Sequence, residues 1–108
     1  MPQEDRLIIF DYPEVYKSVY SLCVQKDIKK PPQGYIESVE HPSGDTSRVI
    51  LHLFNETEEI NAQVEYSRDF FAAALMLYCR GLGILLPKSA SKSVSIRDGE
   101  VALRVRIG

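Results

Sequence analysis

The apolar pattern opens with an unbroken run, Leu7-Ile8-Ile9-Phe10, which suits a short strand or an ordered lead into the first helix. Asp11-Tyr12-Pro13-Glu14 follows. Asp accepts from the free amides of a first helical turn, Glu three positions on answers as a capping box, and Pro is tolerated there, so a helix is expected to begin. Val15, Val19, Leu22 and Lys26 fall on one helical line with Tyr16 and Cys23 beside it, while Lys17, Ser18, Ser21 and Gln25 lie on the wet side. Lys29-Lys30-Pro31-Pro32 is expected to end the helix, because a proline pair cannot continue it.

From Gly34 to Tyr66 the period changes from 3.6 to two. Tyr35 to Glu40, Arg48 to Phe54 and Glu59 to Tyr66 alternate, separated by His41-Pro42-Ser43-Gly44-Asp45 and Asn55-Glu56-Thr57-Glu58, which reads as a three-stranded antiparallel meander. The middle strand is expected to be central, since Val49, Leu51 and Leu53 form one face and Ile50 and Phe54 occupy the other. In the third strand Ile60, Ala62, Val64 and Tyr66 point inward. Ser67 then caps a second helix from Arg68 to about Leu82, apolar around most of its circumference, with Gly81 or Gly83 to stop it.

Beyond Pro87, Arg97-Asp98-Gly99-Glu100 holds the Asp-Gly pair favoured in two-residue hairpin turns. That turn fixes a register in which Arg97 faces Glu100, Ser95 faces Ala102 and Ser93 faces Arg104. Val94, Ile96, Val101, Leu103, Val105 and Ile107 then share one face, and Ser91, Ser93, Ser95, Arg97, Arg104 and Arg106 share the other. Lys92 falls on the inward side, opposite Val105, where a lysine can snorkel to water. The expected fold is therefore α+β, one domain over residues 1–108, in the order (β)-α-β-β-β-α-β-β with the second helix packed on the sheet.

Composition supports a single core: 44% of 108 residues are hydrophobic, enough without disulfides or metals. The net charge of −2 argues against a dedicated duplex binder, but its distribution is uneven. Residues 80 to 108 carry six basic and two acidic side chains, and residues 1 to 79 carry seven and thirteen. The start of the chain is acidic and followed by only four apolar residues, which does not suit a secretory signal, and the longest apolar run, Phe70 to Cys79, is too short to cross a membrane. A cytoplasmic location and reduced Cys23 and Cys79 are expected.

Candidate chemistry is sparse. Cys23, Cys79, His41 and His52 lack zinc spacings, Glu56, Glu58 and Glu59 lack the pattern of a calcium loop, and Arg80-Gly81-Leu82-Gly83 closes a helix where a dinucleotide fingerprint would open one. No cofactor and no catalytic residue are expected. The sharpest site is the Ser and Arg face of the hairpin: Arg97, Arg104 and Arg106, with Lys88 and Lys92 from the link before it, could hold phosphate or carboxylate oxygens. The competing reading is the solvated face of a one-sided sheet. Tyr12, Tyr16 and Tyr20 repeat along the first helix as either the margin of the core or a partner surface.

The segment from Arg68 to Ile107, with its apolar helix, Leu85-Leu86-Pro87-Lys88, Ser- and Lys-containing link and Asp-Gly hairpin, resembles a group of short uncharacterised bacterial proteins of alphaproteobacterial type. The resemblance implies a free-standing bacterial domain and carries no activity, cofactor or site. The leading expectation is a non-enzymatic interaction module that forms a homo-oligomer or binds another protein, away from membranes. Binding of nucleic acid or another anion through the hairpin face is the alternative, and a small enzyme whose pocket is gathered only by the fold is a third.

Overall fold

A computed structural model describes residues 3–107 of the chain. The elements run β1 (Glu4–Phe10), α1 (Tyr12–Gln25), β2 (Tyr35–Glu40), β3 (Arg48–Asn55), β4 (Ile60–Ser67), α2 (Arg68–Gly81), β5 (Ser91–Arg97) and β6 (Glu100–Ile107). The α+β order expected from the pattern is the order found, and the ambiguous opening run is a strand.

The strands form two three-stranded antiparallel sheets, β1-β6-β5 and β2-β3-β4. The meander makes the second sheet by itself, and the C-terminal hairpin recruits β1, from the other end of the chain, to make the first. Asp98 and Gly99 both adopt positive φ, 52° and 80°, as a two-residue hairpin turn of the primed kind requires. The pairing then runs from Arg97↔Glu100 to Ser91↔Arg106 without a slip, in the register that the turn implies. In the other sheet the β2–β3 ladder is broken by an irregularity between Ile36 and Ser38.

Both helices pack against each other and against the inner faces of the sheets. The molecule is only 20 Å through its thinnest direction, room for one helix layer on one sheet layer. Val15, Val19 and Cys23 of α1, Phe71, Ala74, Leu75 and Cys79 of α2, Leu51 and Leu53 of β3, and Val101, Leu103 and Val105 of β6 are sealed from water in one core. On the inner face of β6, the central strand of its sheet, Val101, Leu103 and Val105 are sealed and Ile107, at the strand's end, is half-buried. Ala102, on the other face, is also covered, its small side chain overlain between Ile9 and Ser95 across the ladders.

Helix ends follow their local chemistry. At α1 the Asp11 carboxylate accepts from the Glu14 amide at 2.8 Å and the Glu14 carboxylate accepts from the Asp11 amide at 2.9 Å, a complete capping box. At α2 the Ser67 hydroxyl accepts from the Phe70 amide at 3.1 Å. The end of α1 differs from expectation: it comes at Gln25, before the prolines. Asp27 takes a left-handed φ of 54°, and the amides of Asp27 and Ile28 donate back to the carbonyls of Val24 and Cys23 at 3.2 and 3.0 Å, which closes the helix in a Schellman motif. The same motif ends α2, where Gly83 supplies the positive φ and Gly81 is the last helical residue.

Candidate functional site

The hairpin face is part of a three-strand surface, because pairing of β1 with β6 places Asp5 opposite Arg106, Leu7 opposite Arg104 and Ile9 opposite Ala102. Alternation in all three strands turns Asp5, Leu7 and Ile9 outward beside Arg104 and Arg106, with Ser91, Ser93, Ser95 and Arg97 on the far strand. A shallow depression of about 500 Å³ forms there, lined by Asp5, Arg6, Leu7, Ser95, Arg97, Glu100, Ala102 and Arg104.

Its central arginine is already engaged. Arg104 donates from Nε to Asp5 Oδ1 at 3.0 Å and from Nη2 to Asp5 Oδ2 at 2.6 Å, the paired geometry in which a guanidinium grips a carboxylate. Arg106 Nε approaches the same carboxylate at 3.6 Å. The hydrogen bonds from Arg104 hold the Asp5 carboxyl below its usual range, and Asp5 in turn raises Arg104. Arg97 sits directly across the ladder from Glu100. A phosphate entering this face must displace Asp5 from Arg104 before it gains the guanidinium, so the exchange returns little.

The five candidate anion ligands are not brought to one place. Arg97, Arg104 and Arg106 share the outer face, Lys88 lies in the turn before β5, and Lys92 points to the opposite face, opposite Val105. The residue that sequence reasoning missed is Asp5. The acid was visible in the sequence, but its place among the arginines depends on the β1–β6 register, a contact between the two ends of the chain.

The other titratable candidates are structural in their surroundings. His41 Nδ1 lies 2.7 Å from the Arg48 carbonyl in the β2–β3 connection, and His52 Nε2 lies 3.4 Å from Glu40 on the outer face of the meander. Both thiols are buried in the core, and burial pushes each of them up, away from the reactive thiolate. Among the described residues no group of three or more His, Cys, Asp or Glu side chains is placed to hold a metal ion. No helix among them is long and apolar enough to cross a membrane.

Two further surfaces stand out among the described residues. One is β1, which ends its sheet and presents Leu7 and Ile9 to water at 54% and 57% exposure. The other is the tyrosine band of α1, in which Tyr12 and Tyr16 are half-buried and Tyr20 is exposed. Compared with known proteins, the chain matches no family model, no curated protein and no solved structure.

Proposed function

We propose that the protein is a non-enzymatic interaction module that self-associates by antiparallel pairing of the β1 strands of two copies. The observation that carries this reading is a sheet edge whose two central outward side chains, Leu7 and Ile9, are each more than half exposed. An edge strand leaves a row of amides and carbonyls without ladder partners, and natural proteins protect such edges with charge, proline or a covering segment. The middle of β1 has none of these: its charges, Glu4, Asp5 and Arg6, are confined to the first three residues. β4, an edge of the other sheet, turns Asn61, Gln63 and Glu65 outward and is protected in the ordinary way.

Antiparallel pairing about a two-fold axis satisfies both edges at once and joins two three-stranded sheets into one of six strands. It also brings Leu7 and Ile9 of each copy together on one face, removing from water the apolar surface that the monomer leaves open. A bacterial setting belongs to the same reading and rests on the resemblance of the C-terminal segment.

Sedimentation velocity across a hundredfold concentration range tests it. A dimer that becomes monomeric in Ile9→Lys, with unchanged circular dichroism, is the expected result. A chain that stays monomeric at the highest concentration, or a dimer indifferent to Ile9→Lys, overturns the reading.

A further inference from the structure

We propose that the tyrosine-lined groove between α1 and the start of β2 is a docking site for an extended, acidic, proline-containing peptide segment of a partner protein. The groove has a volume of about 510 Å³ and is walled by Tyr12, Pro13, Tyr16 and Lys17 from the helix and by Gly34, Tyr35 and Ile36 from the strand. It continues along the helix into a smaller hollow between Tyr16, Lys17, Tyr20 and Ser21. The sequence places tyrosines at every fourth position of α1, and the helix converts that spacing into a continuous aromatic wall.

The wall is held rigid from behind. Tyr12 donates its hydroxyl to the Gly99 carbonyl at 2.7 Å, Tyr16 donates to the Pro32 carbonyl at 3.2 Å, and the Tyr16 and Tyr20 rings stack at 6.1 Å. Tyr35 is braced edge-on against Phe54 at 5.9 Å. Rigid aromatic rings fixed at one end by their hydroxyls offer apolar area with little ordering cost, and they suit the flat pyrrolidine ring of proline.

Two observations select the occupant. The first is the rings themselves: Tyr12, Tyr16, Tyr20 and Tyr35 line the two stretches with flat apolar faces of the kind that accept pyrrolidine rings. Charge selects the rest. Lys17 is the one charged residue in the lining of either stretch, no acidic side chain lines them, and Lys30 Nζ stands 5.9 Å above the Tyr20 ring at the far end. A segment with prolines against the rings and carboxylates toward Lys17 and Lys30 complements both features. The site is separate from the β1 edge, and its occupancy does not depend on self-association.

The test is fluorescence anisotropy with a labelled decapeptide alternating proline and glutamate, beside decapeptides alternating proline with lysine and serine with glutamate. Saturable binding of the first alone, weakened about fivefold in Lys17→Glu and in the exposed-ring variant Tyr35→Ser, supports the site. Absence of binding, equal binding of either control peptide, or indifference to both substitutions overturns it. Amide shifts in an NMR titration read the location independently: perturbation confined to residues 12–21 and 34–36 supports the groove, and perturbation centred on β1 or β4 overturns it. Sedimentation of both variants as the wild type separates a failure here from a failure of β1 pairing.

Discussion

Asp5 and Arg104, 99 residues apart in the chain, meet through two hydrogen bonds of 3.0 and 2.6 Å on the outer face of the β1-β6-β5 sheet. The contact fastens the N-terminal strand to the central strand of the sheet, and it turns an arginine that looked free into one half of an ion pair. Because the pair is exposed to water it is worth little as bulk stabilisation, and its value lies in fixing which charges that surface can offer.

Acid sensitivity follows from the same pair. The Asp5 carboxyl is held below its ordinary value of 3.8 by Arg104 in the folded protein. A carboxyl depressed on folding contributes stability that is present above its unfolded pKa and is lost as pH falls through the folded one. Thermal melts of wild type and Asp5→Asn are therefore expected to differ most above pH 4 and to converge toward pH 2. Parallel curves over that range contradict the assignment.

Tyr66 carries a buried hydroxyl that makes no well-formed hydrogen bond, with the Cys23 thiol beside it as a weak partner, and its ring stacks on Phe70 at 5.0 Å. Burial, with Cys23 beside it, pushes the phenol far up, so the group is a neutral, poorly satisfied dipole at all ordinary pH values. Removing a poorly paired buried polar atom while keeping the ring relieves a desolvation cost. Tyr66→Phe is expected to gain about 1 kcal/mol in urea denaturation, and a loss of similar size shows that the hydroxyl is paired.

Gly34 and Gly44 both have positive φ, 143° and 75°, yet they differ in surroundings. A Cβ at Gly34 would stand 2.6 Å from the Phe54 carbonyl oxygen, whereas a Cβ at Gly44 meets nothing within 4 Å. Gly44→Ala pays for backbone strain alone, about 1 kcal/mol. Gly34→Ala must also part β2 from β3, at a cost of about 3 kcal/mol. Equal midpoints in a denaturant titration of the two variants count against the close approach at Gly34.

Asp27 closes α1 in the conformation that Gly83 adopts at the end of α2, with a side chain that makes the left-handed region costly. Asp27→Gly is expected to raise stability by about 0.5 kcal/mol, less than the full strain because glycine also frees the unfolded chain. A fall in the melting temperature shows that the aspartate supplies something beyond the cap.

Where information was local, the residues alone determined the outcome. The helix caps and turns depend on side chains a few positions apart, so Asp11 with Glu14, Ser67 with Phe70, and Asp98-Gly99 could each be read in place. The hairpin register followed from its turn, and with it the division of β6 into a sealed face and an arginine face. The end of α1 was less legible, because an aspartate is a less recognisable left-handed cap than the proline pair downstream. Only the tertiary structure decided that β1 pairs with β6, that Asp5 therefore occupies Arg104, and that the meander and the hairpin form separate sheets. Those outcomes turn on contacts between distant segments, chosen by which apolar faces bury together around α2, and no local spacing of residues encodes that choice.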